Sequence, residues 1–417
     1  MTQTASSATS GTVGHLTPDE AKKLQQAWVH ILRLSGCTDV LQSTGSSEAW
    51  QAAVPDMEHE LNEHHHHHHH HHHHNNHNNN NTTSSLLTPE EFRTTFWEFV
   101  SAEHPDALVL RFLRARKWDV ARGTAMLASA VHWRQQRCIS GTIIRDGEAA
   151  GLKPLSEQSE DERGFLAQYR SGKSYVRSAD REGRLVYVIR VRHHDPRAQT
   201  ADCMERYVLH NIESLRVLLR PPTHRCCLIF DLTGFGIKNM DFHVVKFLVT
   251  VFEARYPETL GAVLIHNAPF VFWGIWKVIQ GWLDPVIAAK IHFTRKPADL
   301  LRFIPAENLQ ASYGGQDKWE YEYIEPVAGE NDKLEDKEGR EVIEKRRAEL
   351  LGEFERETAA WAAAGLLQQQ GVEEGKRRSE LADQITTSYW TLDPYIRSVT
   401  YFHRQGLFKE YHRDVAV

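Results

Sequence analysis

Two uninterrupted apolar runs, CCLIFDL (226–232) and GAVLIHN (261–267), constrain this chain's fold more than any other feature. Neither alternates with polar residues, as a strand with one wet face would, and each is shorter than an ordinary helix. Amphipathic helical patterns occupy 201–219 and 241–255, on either side of the first run. Buried strands alternating with helices predict a largely parallel sheet covered by helices. Upstream, SYVRSADREGRLVYVIRVR (174–192) reads as two β-rich runs about a turn at Asp180–Gly183, a hairpin signal. The predicted class is α/β, with a mixed, mostly parallel sheet flanked by helices.

The chain on either side of the sheet is helical in pattern. In LTPDEAKKLQQAWVHILRL (16–34), Thr17 stands as N-cap and Pro18 in the first turn, and Leu24, Trp28, Ile31 and Leu32 follow at helical spacing. The same start signal, LTPEE, returns at Leu87–Glu91 ahead of Phe92, Phe96 and Phe99. Between them, residues 64–81 consist of 12 His and 6 Asn, a low-complexity tract. Residues 38–86 are therefore predicted to be a disordered insertion within one helical module, 16–137. A sheet-bearing domain, 138–325, follows, and then a charged helical extension, 326–417. In that extension 16 of the 25 residues 333–357 are charged, while Ile343, Leu350, Phe354 and Trp361 mark one apolar stripe. The aromatic end, 388–408, is expected to dock back onto the body.

Charge and cysteine usage narrow the function. Forty-nine basic against 55 acidic residues give a net charge of −6, unlike the basic balance of a general nucleic-acid binder. Five cysteines without a CxxC pair fit buried thiols in a reducing compartment. The N-terminus lacks the apolar core of a secretory signal. The most apolar stretch, Phe270–Leu283, has 14 residues and is interrupted by Lys277 and Gln280, whereas a spanning helix needs about 20. A cytoplasmic protein with transient peripheral contact to endomembranes is expected, acting as a monomer and without nucleic acid.

Few motifs suggest catalysis. AQYRSGKS (167–174) satisfies a relaxed phosphate-loop pattern at Gly172, Lys173 and Ser174, but its flanks read as polar segment and strand rather than strand and helix. A nucleotide-dependent enzyme is the weaker alternative that this loop would support. The run His64–His74 lacks the fixed geometry of a metal site. His193, His194 and Asp195 read as a surface loop after a strand. No metal site, cofactor or catalytic residue is predicted, and the chain is not read as an enzyme. Two segments stand out instead. LRFLRARKWDV (110–120) ends an apolar helix on Arg116 and Lys117, cations placed to hold a phosphate. Phe270–Leu283 carries Trp273, Trp276 and Trp282, amphipathic rings suited to a core helix, a lid or a lipid interface.

These motifs together resemble the CRAL-TRIO lipid-transfer family, in particular its fungal phosphatidylinositol transfer branch. LRFLRARKWDV, ADREGRLVYVIRV, CCLIFDLTGFG, RYPETLGAVLIHNAPFVF, LDPVIAAKI and IPAENLQASYGG occur in the family's order. The resemblance implies a helical N-terminal module and a sheet enclosing one lipid, with no cofactor beyond that ligand. It puts a lid helix on Phe270, Phe272, Trp273, Trp276 and Trp282, and a pocket wall on Cys226, Leu228 and Phe230. It further implies that Arg116, Lys117, Glu258 and Lys290 bind a phosphatidylinositol headgroup, with Glu258 pairing Lys290. Thr259 and Ile287 depart from the family's headgroup pattern. Cys226 and Leu228 replace the Ser and Thr that hold phosphocholine in other members. Non-catalytic transfer of phosphatidylinositol between membranes is the expected function, and a more apolar ligand such as squalene or a sterol is the alternative.

Overall fold

The computed structural model describes residues 9–57, 87–369 and 375–411. It divides into two compact units, Met1–Ser140 with Asp336–Tyr395, and Gly141–Glu335 with Ile396–Val417. The expected C-terminal extension is thus shared between them.

The second unit holds one five-stranded sheet in the order β1 (Ser174–Ala179), β2 (Leu185–Arg190), β3 (Cys226–Asp231), β4 (Leu260–His266) and β5 (Ile291–Thr294). β1 and β2 form the predicted hairpin, and every later pairing is parallel. The turn is set by Asp180, whose carboxylate accepts from the Glu182 and Arg184 amides at 3.0 and 2.9 Å, while Gly183 takes φ +79°. Alternation along the strands sorts the apolar side chains onto two faces. Val186, Val188, Cys227, Ile229, Ala262 and Leu264 pack against Leu300, Ile304 and Leu309, with Tyr313, Trp319 and Tyr321 alongside. Tyr187, Ile189, Leu228, Phe230, Val263 and Ile265 point the other way, into a cavity. The chain end closes this unit, as the aromatic pattern predicts. Arg404 is buried between Glu148 and Glu330, and Glu148 also accepts from the Tyr323 hydroxyl and the Tyr401 amide, each at 2.7 Å.

In the first unit both predicted helix starts form. Thr17 and Thr88 each cap a helix, Pro18–Leu34 and Pro89–Val100, with Glu20 and Glu91 completing a reciprocal capping box. The disordered insertion expected from residue 38 is corrected at its start. Thr38–Gln42 and Ser47–Ala53 are helical, and Leu41, Trp50 and Val54 share a core with Val29, Leu32, Ala359 and Ala362. Their few apolar residues are too sparse to show periodicity, yet Leu41 and Trp50 are buried. The His/Asn tract itself lies outside the described residues. Lys337–Leu366 is the predicted long helix, and Phe354 on its inner side meets Trp28 edge-on.

Arg378 and Asp106 form an enclosed ion pair in this unit. Arg378 forks onto both oxygens of Asp106 at 2.6 Å, and the Trp28 indole donates to the same carboxylate at 2.7 Å. Burial alone would push the Asp106 carboxyl up, but the Arg378 guanidinium beside it holds it below its ordinary value. Asp106→Asn keeps the shape and strands the Arg378 charge, which should cost about 3–5 kcal/mol. Denaturant titration of the variant checks this, and a change below about 1 kcal/mol would show that the pair is dispensable.

Candidate functional site

The cavity in the second unit has two continuous lobes. Counting space open to solvent, the first spans about 900 Å³ and the second about 830 Å³. Both are lined by Leu228, Phe230, Val245, Leu248 and Phe252, so one chain of apolar wall runs through them. Its floor is the free face of the sheet. Its roof comes from the helices Ala201–Arg216, Phe242–Ala254 and Phe272–Gln280. The predicted wall residues Cys226, Leu228 and Phe230 all line the first lobe.

The predicted lid is a nine-residue helix, Phe272–Gln280, shorter than the apolar run because Pro269 precedes it and Gly281 ends it. Phe272, Trp276 and Ile279 recur at helical spacing and face the second lobe. The opposite side is not buried. Phe270 is 93% exposed and Trp273 38%, and Val278 is exposed too. Phe293 lies tilted against Trp273 at 5.0 Å and edge-on to Trp276 at 5.2 Å, and Trp282 meets Phe242 at 6.0 Å. A contiguous exposed aromatic patch on a protein surface marks a contact site. Rings of this type suit the headgroup layer of a membrane.

The predicted headgroup residues divide between the units. Arg116 and Lys117 lie in the first, where they close the Pro105–Ala115 helix. Arg116 is the C-cap and half-buried, and Lys117 is exposed with φ +53°. Glu258 and Lys290 lie in the second unit, just before β4 and β5. The expected Glu258–Lys290 pair is not the one formed. Arg225, just before β3, holds the Glu258 carboxylate at 3.2 Å. The reason is register: Cys226 pairs with Leu260, which brings the residues preceding these two strands together. Burial, then the nearby Arg225 cation, pull the Lys290 ammonium below its ordinary value, with Glu258 opposing. Arg225 also keeps a buried Nε without a hydrogen-bond partner. Sequence reasoning missed it, although a lone cation before a buried strand was the available signal. The two departures from the family pattern are turned inward. The Thr259 hydroxyl is spent on the Tyr256 carbonyl at 2.8 Å, and Ile287 lines the second lobe.

The far end of the first lobe is polar, and here one sequence expectation holds and one is corrected. Gly172 ends the Glu160–Ser171 helix in the left-handed conformation and Ser174 opens β1, so the Gly172–Lys173–Ser174 segment runs from helix to strand. A phosphate loop needs the reverse order, with helix amides facing the anion. His194 is not on a surface loop. It is buried, with Nδ1 at 2.8 Å from the Lys173 ammonium and Nε2 at 2.9 Å from Asp241. Its partners lie 21 and 47 residues away in sequence, so no local spacing announces the cluster. Among the described residues no cluster of three or more His, Cys, Asp or Glu is arranged to hold a metal. No helix among them is long and apolar enough to cross a membrane.

Comparison with known proteins agrees with this architecture. A family model for the CRAL/TRIO domain matches residues 169–315, and one for the CRAL/TRIO N-terminal domain matches 81–129. A CRAL-TRIO domain-containing protein of Schizosaccharomyces pombe is 36% identical over 76% of this chain and 69% of its own length. The phosphatidylinositol transfer protein CSR1 of Eremothecium gossypii is 36% identical over 75% of this chain and 71% of its own. The SEC14 cytosolic factor of Yarrowia lipolytica is 30% identical over 51% of this chain and 43% of its own.

Burial lowers Lys173 to about 8 from its ordinary 10.5. Between those values the unfolded chain binds the proton and the folded one has released it, so this group's contribution to stability rises with pH across that window and is flat below it. The stability of wild type minus that of Lys173→Met should increase by up to about 1.4 kcal/mol per pH unit from about pH 8 to 10.5. Denaturant midpoints of the two proteins measure it, and a constant difference would mean that the ammonium is solvated.

Proposed function

Because this chain belongs to the CRAL-TRIO family, we propose that it binds a single lipid in the two-lobed cavity and exchanges it between membrane surfaces, with phosphatidylinositol as the ligand. The observation that carries this reading is the continuous apolar cavity under a short helix with aromatic residues on both of its sides. Exposing two acyl chains of about 16–18 carbons to water would cost about 25–30 kcal/mol, at about 0.8 kcal/mol per methylene. Moving them from a bilayer into an equally apolar pocket removes most of that cost. Exchange then needs no catalyst, and its rate is set by opening the Phe272–Gln280 helix at the membrane.

Ligand choice falls to the charged residues. Glu258, Lys290 and Arg225 precede three adjacent strands, where they suit inositol hydroxyls and a phosphodiester. Arg116 and Lys117 are retained as phosphate-binding candidates on the family pattern. Cys226 and Leu228 offer a thiol and an alkyl group to the cavity, which argues against phosphocholine. A second reading, a more apolar ligand, draws on Thr259 and Ile287, neither of which offers a free polar group toward a headgroup.

Mass spectrometry of lipids extracted from the purified protein should find phosphatidylinositol, and vesicle assays should show its transfer. Glu258→Ala or Lys290→Ala should cut that transfer at least tenfold. Phe270→Ala with Trp273→Ala should slow exchange several-fold while leaving the bound lipid per molecule unchanged. Squalene or another apolar lipid in the extract, with transfer indifferent to Glu258 and Lys290, would favour the second reading.

A further inference from the structure

The aromatic face around the Phe272–Gln280 helix carries charge of one sign. From Asp241 to Asp299 the exposed Lys and Arg side chains are Lys246, Lys277, Arg295 and Lys296, and no Asp or Glu in that stretch is exposed. Ring contacts place the cations about one patch. Lys277 lies one turn beyond Trp273, on the exposed side of the helix. Trp273 meets Phe293 of β5, and Arg295, just after that strand, donates to the Ala268 carbonyl at 3.3 Å, two residues before Phe270. At the other end of the helix, Trp282 meets Phe242. Lys246, one turn after Phe242, sets its ammonium 5.8 Å from the centre of the Trp282 ring.

The carboxylates of the same stretch are spent elsewhere. Asp241 accepts from the Val244 amide at 3.2 Å and from His194, and Glu258 is held by Arg225. Glu253 accepts from the Asp284 amide at 2.9 Å, and Asp284 from the Ile287 amide at 2.8 Å. Asp299 takes the Arg295 and Lys296 amides at 2.9 and 3.0 Å. Among the described residues no carboxylate is paired with the side chain of Lys246, Lys277, Arg295 or Lys296. This occurs in a chain whose net charge is −6, so the face is opposite in sign to the whole. Its composition selects among occupants. A second copy docking through the same face would oppose cation to cation. An acidic peptide would answer the cations and leave Phe270 and Trp273 facing water. An anionic bilayer answers both, since rings enter at headgroup depth while lysine and arginine heads stay in the charged layer above them.

We propose that this face selects membranes by their negative charge, with Lys246, Lys277, Arg295 and Lys296 meeting anionic headgroups while Phe270 and Trp273 enter between them. The inference rests on the membrane-exchange reading and deepens it by naming the surface at which exchange occurs. It assigns to Lys246 and Arg295, which lie outside the Phe272–Gln280 helix, a part in docking that is separate from ligand choice. Each cation brought to an anionic surface strengthens binding about fivefold, and salt screens that gain.

Vesicle flotation of the full-length protein tests it. At low ionic strength wild type should bind an equal mixture of phosphatidylcholine and phosphatidylserine about twentyfold or more above phosphatidylcholine alone. Phosphatidylglycerol in place of phosphatidylserine should keep that preference, and ~1 M salt should remove most of it. Lys246→Gln and, independently, Lys277→Gln should each cut the preference about fivefold with phosphatidylcholine binding held, while Lys246→Arg retains it. Phe270→Ala should weaken binding to both compositions by a similar factor, because a ring carries no charge. Equal binding of neutral and anionic vesicles overturns the proposal, as does a preference indifferent to both lysine variants. Binding of phosphatidylserine but not phosphatidylglycerol would mean that a headgroup is read, and a dimer broken by Phe270→Ala would give the face to a second copy; either result overturns it. Phosphatidylinositol transfer is measured on the same preparations. Transfer without any charge preference removes this inference alone, whereas charge-dependent binding without transfer keeps the docking face and removes the exchange reading.

Discussion

A parallel strand that is apolar on both faces leaves neither face to water, and the rest of the second unit follows from that constraint. The pleat sends Val186, Val188, Cys227, Ile229 and Leu264 to one side, where Leu300, Ile304 and Leu309 cover them. Ile189, Leu228, Phe230, Val263 and Ile265 go to the other side, and there the helices stand off and leave a cavity. Interiors are ordinarily packed to the density of organic crystals. A continuous apolar space bounded by three helices and a sheet is therefore a place where the protein has left core-filling to another molecule.

The charged groups around the cavity gather at the strand ends. Arg225, Glu258 and Lys290 precede β3, β4 and β5, and Lys173, Arg190 and Asp241 gather at the C-terminal ends of β2 and β3. The middles of β3 and β4 are left apolar. A molecule in this cavity must match that order, polar only where the strands begin or finish. Selectivity is then a matter of hydrogen-bond satisfaction at the ends, since the apolar middle accepts any chain of suitable volume.

What the sequence discloses depends on how local its cause is. The hairpin, β3, β4 and the two Thr-Pro helix starts are legible because period and capping act within a few residues. The Phe272–Gln280 helix was legible as a punctuated apolar run, although Gly281 ends it early. Pairings across the chain were not. Arg225 with Glu258, Lys173 with His194, His194 with Asp241, and Asp106 with Arg378 join residues 21 to 272 positions apart. No periodicity encodes those pairs; the fold does. Residues 38–57 failed for another reason, because short helices carrying one or two buried anchors give too few turns for a pattern to appear.

The construction of the proposed lid bears on how exchange would be controlled. Lifting Phe272–Gln280 in water would expose Phe272, Trp276 and Ile279 together with the cavity they cover. At about 1.5–3 kcal/mol for each large apolar side chain, the open state is rare in solution. Against a bilayer the same residues leave one apolar medium for another, and Phe270 and Trp273, exposed in the closed state, are already placed to enter it. The membrane then lowers the opening cost through its differential affinity for the open form, which is the condition for any ligand to shift a conformational equilibrium. On the proposed reading, release far from a membrane would be suppressed by the same apolar surface that permits it at one, and exchange would be conditional on contact without an additional switch.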